Sequence, residues 1–194
     1  MLVAPLFLVA CGGPAQEAGP APSVAAHVTA AAEAGPTLTS AEALSVLEAA
    51  VSDRTAGTLA TPPPDGPSLD EASSSDNFKA ARERERLVVA ERKVRFRGFG
   101  FHYTSAVTTV QVREVTGTAS KATVRFDESG TLYLASDTTG PSDVPEQYRL
   151  QATATFLRTG RGWVLDEVLP DDGQFGLPLS MVDPRLPADT AARP

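Results

Sequence analysis

Apolar and polar side chains alternate most clearly between Pro145 and Val168. Tyr148, Leu150, Ala152, Ala154 and Phe156 take every second place, with Arg149, Gln151, Thr153 and Thr155 between them. A two-residue period predicts a strand with one buried face. Thr159-Gly160-Arg161-Gly162 follows, with two glycines able to take positive φ, and Trp163, Leu165 and Val168 mark the apolar positions of a returning strand. The segment therefore predicts a long antiparallel hairpin. It holds the chain's one tryptophan and one of its three tyrosines, so it is expected to anchor the core.

Upstream, the run from Phe101 to Val115 is rich in β-branched residues and predicts another strand. The step from Val107 to Val110 breaks its alternation and predicts a bulge there. Gly117 turns the chain, and Ala122, Val124 and Phe126 mark a further strand. Asp127-Glu128-Ser129-Gly130 has the composition of a turn, which makes Leu132 to Ala135 a separate short strand.

Before Phe101 the period is helical. Thr39-Ser40-Ala41-Glu42 has the spacing of a capping box, and Leu44, Leu47 and Val51 continue it as a short amphipathic helix that ends before Gly57. Thr61-Pro62-Pro63-Pro64-Asp65-Gly66-Pro67 excludes helix and predicts a stiff linker. Ser68-Leu69-Asp70-Glu71 offers a second capping box, and Asp76 is the expected cap of a longer helix over Asn77 to Phe96. Ala80, Leu87, Ala90 and Val94 form the apolar stripe of that helix. Gly12 to Pro36, rich in Ala, Gly, Pro and Glu, shows no apolar period and reads as a disordered tether. The Pro-rich stretch beyond Leu169 reads as a mostly disordered tail.

A chain of 194 residues suffices for one domain with a proper core. Hydrophobic residues make up 42% and aromatics 6%, so Val, Leu and Ala must fill most of that core. The net charge of −7 argues against a general nucleic-acid binder, although Arg82 to Arg97 carries seven basic residues against three glutamates. Those glutamates sit at offsets that pair within a helix, and only Phe96 interleaves the charges. The run therefore reads as a solvated helix face, with no nucleic-acid partner. Cys11 is the single cysteine, which excludes an intrachain disulfide, and His27 and His102 share no ligand spacing, so neither metal nor cofactor is expected.

Leu2 to Ala10 is an uncharged apolar run of nine residues, well below the ~20 that cross a bilayer but suited to the core of an export signal. Leu8-Val9-Ala10-Cys11 at its end resembles the lipobox of bacterial lipoproteins. That resemblance implies a signal peptide over residues 1–11 and diacylglycerol on the Cys11 thiol, the nucleophile in this stretch able to take it. The expected location is the extracytoplasmic face of the cell membrane, with the lipid as the membrane contact. Residues 12–67 are then a flexible tether with one short helix, 68–169 the folded domain, and 170–194 the tail.

A helical segment followed by four to six antiparallel strands, with Gly162-Trp163-Val164-Leu165-Asp166 on a late strand, resembles the NTF2-like (SnoaL-like) fold. The resemblance covers about Asn77 to Leu169 and implies an α+β domain in which a curved antiparallel sheet wraps a helix as a cone. The run Tyr103 to Val112, the strand at Tyr148-Arg149-Leu150 and the Gly162–Leu165 segment are similar to the non-catalytic domain that precedes amidase domains in secreted actinobacterial proteins. An amidase of that kind needs a catalytic cysteine. The only cysteine here is Cys11, so the accessory domain alone is carried over.

The expected function is thus a lipid-anchored binding or accessory domain without catalytic activity, its partner an envelope protein or a small molecule. The alternative is a small NTF2-like enzyme of the isomerase or cyclase type, with an acid–base group held in an apolar cone. His102, Tyr103, Tyr133, Tyr148 and Asp166 are the candidate pocket residues for either.

Overall fold

The computed structural model describes residues 37–63 and 69–171. Cys11, the tether as far as Pro36, the linker from Pro64 through Ser68 and nearly all of the tail lie outside the described residues. Among them the chain runs α1 (Ser40–Ala56), a single 3₁₀ turn (Glu71–Ser73), α2 (Asp76–Gly98), β1 (Phe101–Gly117), β2 (Lys121–Ser136), β3 (Gly140–Pro141), β4 (Glu146–Thr159) and β5 (Gly162–Pro170). The strands form one antiparallel sheet in the order β1-β2-β4-β5, with the short β3 beside β2. Two helices on an antiparallel sheet make this an α+β fold.

The sheet is built on β2, which pairs along most of its length with β1 on one side and β4 on the other. Ala122, Val124, Phe126, Glu128, Gly130 and Leu132 are all buried, an unbroken period of two. The expected turn at Asp127–Gly130 is therefore absent. Two contacts hold the strand through this polar stretch. Arg54 of α1 meets the Glu128 carboxylate, and Gly130 lies against the Tyr148 ring, where a Cβ would come within 2.2 Å of ring carbon Cε1. Glycine here makes room for an aromatic neighbour and does not turn the chain.

The β4–β5 hairpin follows the predicted alternation, with Leu150, Ala152, Ala154, Phe156 and Leu165 buried. Trp163 is half-buried against the same cluster, and the Arg158 guanidinium sits 5.6 Å from its ring centre. The register slips where Thr155 faces Glu167 and Phe156 faces Leu165, so Asp166 is the extra residue of a bulge. β1 carries two slips, between Tyr103 and Ser105 and between Val112 and Glu114. Neither falls at Val107–Val110, which pairs regularly with β2.

α1 starts on the predicted capping box: the Thr39 amide donates to Glu42 at 2.9 Å and the Glu42 amide donates to the Thr39 hydroxyl at 3.2 Å. It does not belong to a tether. Leu38, Ala43, Leu47 and Ala50 join Val124, Phe126, Phe156 and Leu165 in the main core, so the folded unit begins well before Ser68. Hydrophobic burial explains the difference, because helix and sheet each leave an apolar face that only the other covers.

α2 is capped by Ser75, whose hydroxyl accepts from the Phe78 amide at 3.1 Å; Asp76 is its first residue. It is tied at its start to β5, where the Ser75 amide donates to the Leu165 carbonyl at 2.9 Å. Near its end Phe96 stacks on Tyr103 of β1 with ring centres 5.2 Å apart. The helix thus reaches from one edge strand to the other. Its buried residues are Phe78 and Val89, whereas Leu87 and Val94 are 66% and 74% exposed, so the expected apolar stripe does not face the sheet. The stripe that does face inward is interrupted by Arg82 and Glu85, which pair with each other while Arg82 also reaches Asp53 of α1 at 2.7 Å.

Candidate functional site

Between the end of α1 and the second half of α2 lies a cavity of about 720 Å³, bounded on its third side by the start of β1. Its volume falls within the range of small-molecule sites. Ala56, Val89, Ala90, Val94, Phe96 and Tyr103 supply apolar wall; Arg54, Arg82, Arg86, Lys93 and Arg97 supply cations, with Asp53 and His102 also in the lining. The α2 members cover nearly half of the helix surface, with Arg82, Arg86, Lys93 and Arg97 in the middle, Val89 and Phe96 on one side and Ala90 and Val94 on the other.

The chain after α1 closes the cavity beside β1. Leu59 forms a parallel bridge to Tyr103, and the Ala60 amide donates to the Tyr103 carbonyl at 2.9 Å. Lys93 of α2 spans the gap and donates to the carbonyls of Leu59 and, at 3.4 Å, Gly57. Leu59, Tyr103 and Leu132, with Phe96 and Tyr148 against them, form a second small core behind this wall.

Deeper in, Arg54, Glu128 and Tyr148 form a buried polar group. The Arg54 guanidinium contacts Glu128, and the Tyr148 hydroxyl donates to the same carboxylate oxygen at 2.6 Å. Burial opposes the Arg54 charge, but Glu128 and Glu85 nearby outweigh it, and the guanidinium pKa is raised. Burial first, and then the Glu128 charge, raise the Tyr148 hydroxyl above its ordinary range, which keeps it a donor. Tyr103 is raised for the same leading reason, burial, with its hydroxyl donating to Glu146.

Of the five candidates from sequence, His102 and Tyr103 line the cavity. Tyr148 stands behind it through Glu128 and Arg54. Tyr133, on β2, is 41% exposed and is not in the lining. Asp166 lies at the β5 bulge, where it accepts from the Ser75 hydroxyl at 2.7 Å and its carbonyl accepts from Asn77 at 3.1 Å. It ties the start of α2 to the sheet, far along the helix from the cavity. Beside the cavity the His102 Nδ1 is 3.3 Å from Asp137 Oδ1, without hydrogen-bond geometry.

Sequence reasoning missed Arg54, Glu128 and the cavity face of α2. A signal existed for the first: Arg54 follows Leu47 and Val51 on the buried side of α1, where a cation requires an acid partner. For Glu128 the signal was the period of two running through Asp127–Gly130 without a break.

The sequence matches no protein-family model and no curated protein. Among solved structures, the intermembrane space region of the chloroplast protein ARC6 aligns with 70% of this chain and 98% of its own, at a TM-score of 0.39 and 12% identity. A likeness at that level assigns neither a fold family nor a function. Among the described residues, no helix is long and apolar enough to cross a membrane.

Proposed function

We propose that this is a non-enzymatic binding domain of the NTF2-like type, held by a lipid on Cys11 at the extracytoplasmic face of the membrane, and that its cavity takes a small amphiphilic guest. The observation that carries the binding reading is the mixed lining of the cavity, with apolar wall from both helices and β1 and cations along one face of α2. Such a site can hold and orient a molecule. Lowering a reaction barrier requires more, since an acid, base or oxyanion donor must act more strongly on the transition state than on the ground state. Support for the anchor comes from Leu8-Val9-Ala10-Cys11, and support for the NTF2-like type from the order of helices and strands.

The binding test uses the purified full-length protein and the uncharged fluorophore N-phenylnaphthylamine. Fluorescence should rise on binding and should be lost in Ala90→Trp, since Ala90 is exposed within the lining and its enlargement fills the cavity without touching the core. Equal binding by a folded Ala90→Trp protein would remove the cavity as the site. For the anchor, a labelled fatty acid fed to cells should mark the wild type and leave Cys11→Ser unmarked.

A second reading, an enzyme of the isomerase or cyclase type, is favoured by His102 beside Asp137 at the cavity. If a bound guest is converted and His102→Ala abolishes conversion while leaving binding intact, the enzyme replaces the binding domain.

A further inference from the structure

Resting on the binding reading above, we infer that the guest is an anionic amphiphile: an apolar chain with a carboxylate or phosphate head, read by Arg86 and Lys93. Five lining residues are cations and one is an acid, but what selects a ligand is the charge left over once internal pairs are subtracted. Arg54 is matched by Glu128, and Arg82 by Asp53 and Glu85. These two hold the fold.

The remaining cations are engaged more weakly. The Arg86 side chain is 59% exposed and meets Asp53 only at 3.5 Å and Glu83 only at 3.8 Å. Lys93 donates to the Leu59 and Gly57 carbonyls, which are neutral, so those contacts orient the ammonium without cancelling its charge. An ammonium has three donors, and an anion can take the third. Arg97 lies 3.5 Å from Asp137 at the same cavity.

A small inorganic anion would satisfy the charge but not the rest of the lining. Along α2 Val89 borders the cations on one side and Ala90 and Val94 on the other, all in the lining of the cavity, and Val94 is 74% exposed to solvent. Apolar surface of that kind gains stability when a hydrocarbon covers it. Joining the two features gives a chain along the Val89–Val94 wall and a head at Arg86 and Lys93.

The experiment is displacement of N-phenylnaphthylamine from the full-length protein by four single-chain compounds below their micellar concentrations: dodecanoate, dodecyl phosphate, dodecanol and dodecyltrimethylammonium, with inorganic phosphate as a further competitor. Dodecanoate or dodecyl phosphate should displace at about tenfold lower concentration than dodecanol, the preference expected from one charge-assisted hydrogen bond. Which of the two is stronger distinguishes a carboxylate guest from a phosphate one. The preference should vanish in Arg86→Gln and Lys93→Gln while dodecanol binding persists, and Lys93→Arg should restore it. Dodecanol binding as tightly as the anions would overturn the inference and leave the cavity reading standing. Inorganic phosphate competing as well as dodecyl phosphate would overturn the amphiphile class. A fluorophore that never binds the wild type would remove both readings together.

Discussion

At the scale of single residues, the Glu128 carboxylate explains most of what is unusual in this chain. It sits at 1% exposure in the middle of the central strand, and it holds together a helix, a strand and a tyrosine through Arg54 and Tyr148. A buried ion pair is weak evidence of net stability, because both charges were taken out of water to make it. Breaking it from one side is costly all the same. Glu128→Ala should lower unfolding stability by ~3–5 kcal/mol in denaturant melts, since Arg54 is left charged and enclosed. Replacing both, Arg54→Met with Glu128→Leu, should recover most of that loss. A single substitution that costs less than ~1 kcal/mol would mean that water reaches the pair.

At the scale of elements, the two helices are opposite cases. α1 has its cap and its inner face on residues that the pattern names, and its capping box gives a pH-dependent prediction. Hydrogen bonds from the Thr39 backbone and side chain lower the Glu42 pKa below its ordinary 4.5. The unfolded chain therefore binds this proton more readily. The contribution of Glu42 is complete above pH 4.5 and is lost as pH falls through the lower folded value. Thr39→Ala should cost ~1 kcal/mol at neutral pH, and the difference from wild type should shrink in acid. A gap that stays constant through the acid range would mean that the carboxylate does not take part.

α2 shows why a pattern can mislead. Its sequence carries two apolar stripes on nearly opposite faces, one through Leu87 and Val94 and one through Phe78, Val89 and Phe96. The second is interrupted by Arg82 and Glu85 and so looks the poorer core face. It is nevertheless the one turned inward, because Asp53 on α1 completes an ion group around Arg82 that no local reading contains.

For the whole molecule, the decisive point is that the helix before the proline linker is part of the domain. Leu47 is fully buried in the same cluster as Phe126, Phe156 and Leu165. A chain starting at Ser68 should therefore lack a cooperative thermal transition, while one starting at Pro36 should keep it, as followed by circular dichroism. A sharp transition of wild-type midpoint in the shorter chain would show that α1 only decorates the sheet. The cavity belongs to this scale too, since its walls come from α1, α2 and β1 and no two of them enclose it.

The local features are legible in the chain alone: the Thr39–Glu42 cap, the alternation along the β4–β5 hairpin and the helix that precedes β1. Each depends on residues a few places apart, where hydrogen bonding and side-chain direction follow from the backbone period. Three features come from long-range packing: Asp127–Gly130 continues a strand, Asp166 ties α2 to the sheet, and Arg86 and Lys93 line a cavity with the end of α1. Those outcomes turn on partners far away in the chain, Arg54 for Glu128 and Ser75 for Asp166. A polar residue carries no mark of which distant group will satisfy it once both are taken out of water.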